Sequence, residues 1–195
     1  MKRSLLSILI LLMAPLMASA ASPTRAEVLR TAEAFANHQW QPTAQNVLHG
    51  RDSAGIEVQT PDRSTGNSDL WLAGQPSVGV PYKWGGFDSL ESFGRGIKAG
   101  KAGGDLYSSE KRRLGGKAVS ASAVGLDCSG FVSRCWGLKE KQSTGSLADI
   151  CVKLRGLAEL RPGDVLNQAG GHVVLFIKWL DDTQTGFLCY EAEPF

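Results

Sequence analysis

Asp127-Cys128-Ser129-Gly130-Phe131 is the stretch of sequence that most constrains the fold, together with Gly171-His172-Val173-Val174 further along the chain. The cysteine lies where a glycine-rich corner leads into a predicted helix, and the histidine opens an apolar run typical of a β-strand. A thiol nucleophile needs a base to take its proton, and an imidazole is suited to that near neutral pH. The two segments therefore predict a cysteine–histidine pair where the start of a helix meets a strand.

Each member of this pair also has a purely structural alternative. A cysteine at a helix start often serves only in packing, and His172 could be a hydrogen-bonded structural histidine. Unpaired amides and the helix dipole at such a start favour an anion, so we expect the pKa of the Cys128 thiol to be lowered. The other two histidines, His38 and His49, lie in polar sequence and are predicted to be solvated.

A base histidine is usually held in place by a third polar group. Glu191 and Glu193 lie on the same face of the next predicted strand, because side chains alternate with a period of two. Either carboxylate could accept a hydrogen bond from the imidazole of His172. Asp181 and Asp182 fall in the preceding turn and are expected to be solvated.

Helices come first along the chain and strands last, which indicates an α+β fold in which helices pack against an antiparallel sheet. Thr24 and Glu27 form a capping-box pattern that starts a helix ending near Asn37. Further helices are predicted at 129–138 and 146–157, and strands at 56–58, 165–166, 172–180 and 187–191, with a hairpin connection at 181–186. Residues 41–67 are otherwise expected to be irregular, because turn signals recur there.

Residues 86–126 are rich in glycine, serine and basic side chains and show no periodic pattern. So long a stretch without a pattern is usually a functional loop or an insert. We therefore expect either a mobile lid bordering the site or a solvated loop.

Gly79-Val80-Pro81-Tyr82-Lys83-Trp84-Gly85-Gly86 is the other unusual segment. Proline makes the residue before it extended, and the paired glycines permit a close approach of another backbone. Tyr82 could offer its phenol to a substrate or an oxyanion. The alternative is a plain aromatic turn.

Residues 1–20 have the pattern of an export signal. Lys2 and Arg3 precede an apolar stretch at 5–16, and Ala18-Ser19-Ala20 resembles a cleavage site. The apolar stretch is shorter than the roughly 20 residues that span a bilayer, so an uncleaved anchor is the weaker alternative. We expect a periplasmic or extracellular protein that is cleaved near Ala20 and has no stable membrane span afterwards.

The rest of the composition excludes several classes of partner. The net charge is +2 and no basic stripe interleaves with aromatic residues, so no nucleic-acid partner is predicted. The four cysteines form no CxxC pair and there are only three histidines, so neither a metal nor a cofactor is predicted. Export would permit two disulfides. Alternatively, Cys135 and Cys151 are small core residues on their predicted helices, leaving Cys128 free.

Three blocks occur in an order that resembles the NlpC family of papain-like cell-wall peptidases. They are Gly79-x-Pro-Tyr82-x-Trp84-Gly-Gly86, then Asp127-Cys128-Ser129-Gly130-Phe131, then Leu160-x-Pro162-Gly163-Asp164 leading to Gly171-His172-Val173. The resemblance covers about residues 76–195. It implies a signal at 1–20, an N-terminal helix and irregular segment at 21–75, and a catalytic domain at 76–195 that carries the 87–126 insert.

The resemblance also implies roles for single residues. Cys128 would be the nucleophile, His172 the base, and Glu191, on the strand after the histidine, the orienting group. Tyr82, Asp127 and Ser129 match positions that line the pocket and, in some members, recognise the free amine of a stem peptide.

Members of this family typically hydrolyse peptide bonds in peptidoglycan stem peptides, which would be the partner here. The sequence departs from the family in having glutamate where histidine, asparagine or glutamine is usual, and in its long insert. The family fold generally continues with another strand, so the short end after Glu191 is typical of a truncated product. Alternative functions are a related thiol amidase or acyltransferase, or a non-catalytic wall-binding module.

Overall fold

Helices and short strands are mixed along the whole of the described chain, which is an α+β arrangement. The structure, a computed structural model, describes residues 22–193, so the export signal predicted at 1–20 lies outside the described residues. Within 22–193 there is no helix whose length and apolar character would let it cross a bilayer.

The first helix, α1 (Arg25–Ala36), begins as its capping box predicts. The backbone amide of Thr24 donates to the carboxylate of Glu27 at 2.7 Å, and the Thr24 hydroxyl accepts from the Glu27 amide. Its buried face packs on α4 (Cys128–Cys135), with the rings of Phe35 and Phe131 edge to face at 6.1 Å. The helix that we placed ahead of residue 76 therefore shares one core with the cysteine helix.

Residues 39–78 contain more strand than the turn signals predicted. The expected strand near 56–58 is present as Glu57–Gln59, and it pairs antiparallel with His49–Arg51. A second antiparallel pair joins Gln39–Trp40 to Ser77–Val78. In chain order these four strands are β1 (Gln39–Trp40), β2 (His49–Arg51), β3 (Glu57–Gln59) and β4 (Ser77–Val78). Strands of two or three residues are too short to show an alternating pattern, which is why three of them were missed.

The prediction of an irregular loop or mobile lid at 86–126 is wrong. The segment forms α2 (Leu90–Lys98), α3 (Ser109–Leu114) and a parallel pair of strands, β5 (Ala102–Gly103) and β6 (Ala123–Val124). Phe93 on α2 is fully buried and packs with Trp40, Trp71 and Val124. The helices of this segment are too short to show a long hydrophobic period. Its glycine- and serine-rich composition therefore gave no sign that it forms part of the core. Deleting this segment is therefore expected to unfold the protein, because the deletion would remove that layer.

The strand cluster at the end of the chain is confirmed. It consists of β7 (Val165–Asn167), β8 (Val173–Trp179) and β9 (Phe187–Tyr190), joined antiparallel in that order. Val173 and Leu175 on β8 are fully buried against α4 and α1. This contact brings the first residues of β8 to the helix that carries Cys128.

The helix predicted at 146–157 is not present. A 3-10 turn forms at Leu147–Ile150 and another begins at Leu157. The Ser146 side chain does not cap the first turn but bonds the Gln142 side chain at 2.9 Å. Leu147 is buried whereas Val152 is 91 % exposed, so the segment has no continuous apolar face to hold a longer helix. Cys151 is consequently exposed rather than a core residue, while Cys135 is buried as predicted.

Candidate functional site

Cys128 is the first residue of α4, as predicted, and Asp127 is its N-cap. One carboxylate oxygen of Asp127 accepts from the amide of Gly130 at 2.6 Å and from the hydroxyl of Ser129 at 3.1 Å. These bonds satisfy free donors of the first turn and fix where the helix starts. The thiol is therefore carried by a rigid element.

The Tyr82 segment meets α4 through glycines. A side chain on Gly130 would overlap the carbonyl oxygen of Gly86, and the amide of Asp127 donates to that oxygen at 3.3 Å. Tyr82 also pairs with Leu126 in an isolated parallel bridge. The close approach expected from the paired glycines is thus confirmed, and it holds Tyr82 beside the start of α4.

The thiol of Cys128 is at the junction of α4 and β8. Cys128 is only 9 % exposed and lies in one buried cluster with Val173, the first residue of β8. The nearby backbone amides of Ser129 and Val173 favour the thiolate form of its side chain. Because His172 immediately precedes Val173, the helix start and the strand start meet in the way that the two sequence motifs predict.

The expected lowering of the Cys128 pKa is wrong. Burial raises the pKa of this thiol, and the neighbouring Asp127 charge raises it further, while the two amides and the Lys141 ammonium act in the opposite direction. Desolvation of a thiolate outweighs the few dipoles aimed at it. The thiol of Cys128 is therefore neutral near neutral pH, and a base would be needed to ionise it.

His172 and Glu191 form a direct pair. Nε2 of the imidazole lies 2.8 Å from a carboxylate oxygen of Glu191, and the two side chains are 35 % and 36 % exposed. An ionised carboxylate can only accept, so a neutral ring in this pair carries its proton on Nε2 and keeps a lone pair on Nδ1. The hydrogen bond predicted for Glu191 is confirmed, whereas Glu193 makes no side-chain hydrogen bond within the described range 22–193.

Tyr82 is buried beside the same junction, with 6 % of its surface exposed. Burial raises the pKa of its phenol, and the charges of Asp127 and of a Cys128 thiolate add to the effect. The phenol thus keeps its proton over the physiological range and can donate it in a hydrogen bond. Tyr82, Asp127, Ser129 and Cys128 are together at one place.

Sequence reasoning missed Lys141, which lies in the loop after α4. Its ammonium is 2.9 Å from the second carboxylate oxygen of Asp127 and 3.2 Å from the hydroxyl of Ser129. One lysine in a polar loop carries no recognisable signal.

The remaining histidines lie elsewhere. His38 is half-buried with its ring edge to face on Phe93, and burial lowers its pKa, so the prediction that it is solvated is wrong. His49 is exposed as predicted, and its Nε2 contacts both Asp62 and Ser64. Because both contacts use the same ring nitrogen, the ring does not connect the two side chains through its two nitrogens. All four cysteines are free thiols, and residues 22–193 bring no three His, Cys, Asp or Glu side chains close enough for a metal ion.

If His172 acts as a base towards Cys128, replacing Glu191 by glutamine should lower kcat substantially with little change in stability. The amide could still bond the ring, but it would supply no charge to stabilise an imidazolium formed when His172 takes a proton. Glu193→Gln is the matched control, since it removes the same charge two residues away. Steady-state kinetics on a defined peptide would check this, and a loss in the Glu193 variant alone would contradict the assignment.

Comparisons of the chain with protein-family models, with curated proteins and with solved structures found no match.

Proposed function

We propose that this chain is an exported thiol hydrolase of the NlpC-type papain-like fold that cleaves peptide bonds in peptidoglycan stem peptides. The observation that carries the proposal is the junction itself. Cys128 packs in one buried cluster with Val173, the first residue of β8, and the preceding residue, His172, is hydrogen-bonded to Glu191. The three sequence blocks that resemble the NlpC family supply the substrate class.

The reaction would begin with transfer of the Cys128 proton to Nδ1 of His172, since Nε2 is committed to Glu191. The thiolate attacks the peptide carbonyl and forms a tetrahedral oxyanion, next to the amide of Cys128 and the phenol of Tyr82. Collapse expels the amine, which takes the proton from His172, and leaves an acyl-enzyme. Water, deprotonated by His172, then attacks the thioester and releases the acid and the thiol.

A raised thiol pKa fits this order of events. Because burial keeps Cys128 neutral at rest, the ion pair would form mainly when substrate is bound and the imidazolium is stabilised by Glu191. A resting thiol is also less prone to oxidation than a permanent thiolate.

The test uses the purified mature protein with cell-wall sacculi and with defined stem peptides, followed by mass spectrometry. A hydrolase releases soluble fragments with a new carboxylate and a new amine, and alkylation by iodoacetamide stops the release. Products joined to an added amine would instead indicate an acyltransferase. Co-sedimentation with sacculi and no products at all would indicate a binding module and overturn the proposal.

Export by residues 1–20 is part of the same proposal. A mature mass that begins near residue 21, measured on protein recovered from the periplasm or medium, would support it. Full-length protein retained in the cytoplasm would contradict it.

A further inference from the structure

An internal ammonium group lies beside the candidate nucleophile. Lys141 contacts the residues on both sides of Cys128 in the chain, at 2.9 Å from Asp127 and 3.2 Å from Ser129. The Lys141 side chain is 25 % exposed and that of Asp127 is 10 % exposed. The pair is therefore partly desolvated and open to solvent on the lysine side.

Buried hydrogen bonds hold the Lys141 loop in place. The hydroxyl of Ser133, which is fully buried, donates to the carbonyl of Ser129 at 2.7 Å and accepts from the amide of Gln142 at 3.0 Å. The amide of Leu138 donates to the carbonyl of Ser133 at 2.9 Å. The loop thus folds back along α4. This places Lys141 beside the first turn of the same helix.

The charge of Asp127 is already balanced by a cation of the chain itself. One of its oxygens accepts from Gly130 and Ser129, and the other is paired with the Lys141 ammonium at 2.9 Å. A substrate ammonium that approached Asp127 would be repelled by the like charge of Lys141. The Lys141 ammonium has three donors and uses two, so one remains for an acceptor on a bound molecule.

We propose that Lys141 determines specificity for the proposed reaction. It makes the subsite beside Cys128 accept neutral or acidic acyl groups and disfavour those that carry a free ammonium. The substrate preference rests on the proposed function. The presence of the Lys141 charge beside Cys128 does not depend on that function. The Lys141 charge also lowers the pKa of Cys128, which places it within electrostatic reach of the sulfur.

The charge is tested first without any substrate. Rates of Cys128 alkylation by anionic iodoacetate and neutral iodoacetamide are measured at one pH, with the modified peptide quantified by mass spectrometry. Taking the ratio of the two rates cancels the fraction of thiolate. Lys141→Met should lower the iodoacetate-to-iodoacetamide ratio about fivefold, because the cation is removed and Asp127 is left uncompensated.

Two variants control this measurement. Lys139→Met removes the same charge from the same loop at an exposed position and should leave the ratio unchanged. Lys141→Arg keeps the charge and should retain the wild-type ratio, which a merely structural role would not predict. Where Lys141→Met fails to fold, Lys141→Gln carries the test. An iodoacetate-to-iodoacetamide ratio in Lys141→Met, or in Lys141→Gln where it is used instead, that equals the wild-type ratio would overturn the proposal.

The substrate preference is then tested with one peptide in two forms, with a free amine or an acetylated amine on the acyl residue. The wild type should prefer the acetylated form, and Lys141→Met should shift the ratio of kcat/KM towards the free amine, mainly through KM. An unshifted ratio overturns the specificity role. A wild type that hydrolyses neither peptide overturns the proposed function, while the alkylation ratio still decides the charge assignment.

Discussion

Replacing Cys128 by alanine is expected to reduce the proposed hydrolysis of stem peptides at least about 1,000-fold and to leave the folded protein intact. The sulfur is the only heavy atom lost, and the starts of α4 and β8 beside it are secured by the Asp127 cap and by the buried cluster that contains Val173. Rates of fragment release by mass spectrometry, together with thermal unfolding, would measure both effects.

The matched control is Cys151→Ala, which removes an exposed free thiol far along the chain from the junction. It should retain full activity. His172→Ala should lose nearly as much activity as Cys128→Ala, and combining the two should cost little more, because the two side chains act as a unit. Retained hydrolysis in Cys128→Ala would show that this thiol is not the nucleophile.

Lys111→Met is expected to cost about 3–5 kcal/mol of unfolding free energy. The Lys111 ammonium lies 2.9 Å from a carboxylate oxygen of Asp105, and the two side chains are 1 % and 0 % exposed. Lys111 also donates to the carbonyl of Glu57, whereas the second oxygen of Asp105 is buried without a partner in the described chain. Removing the cation therefore leaves a buried carboxylate that is already incompletely bonded.

The loss of unfolding free energy in Lys111→Met should be larger at neutral pH than at acidic pH. Burial raises the pKa of Asp105, and Lys111 opposes that rise. A carboxyl whose folded pKa is raised stabilises the fold below its unfolded pKa, about 3.9, and loses that contribution as the pH rises towards the folded value. Without Lys111 the folded pKa of Asp105 rises further above its unfolded pKa. The loss of unfolding free energy in Lys111→Met should therefore become smaller as the pH falls towards 4.

Urea denaturation at several pH values would measure this dependence. Arg112→Met is the matched control, because its side chain is exposed on the same helix and its loss should change stability by less than about 0.5 kcal/mol. Adding Asp105→Asn to Lys111→Met should recover part of the loss, since the unpaired charge is removed. A deficit that is small and independent of pH would contradict the account.

The sequence by itself determined the parts of the site that are encoded locally. A cap, a helix start and glycines at a close crossing placed Cys128 and Tyr82, because each depends on a few adjacent residues. The apolar β-runs at the end of the chain likewise predicted that His172 begins one strand and that Glu191 and Glu193 share a face of the next. Those rules left both carboxylates open, and the folded chain decided that His172 pairs with Glu191.

Only the tertiary structure decided what depends on burial and on contacts between distant segments. The 86–126 region is a core layer because Phe93 packs on Trp40 and Trp71, which come from another part of the chain. No local sequence pattern predicts this contact. The Cys128 pKa is raised because the fold desolvates the thiol, a property of its surroundings and not of the helix start. Lys141 reaches Asp127 only because its loop returns along α4, so the charge balance at the nucleophile is a consequence of the folded chain.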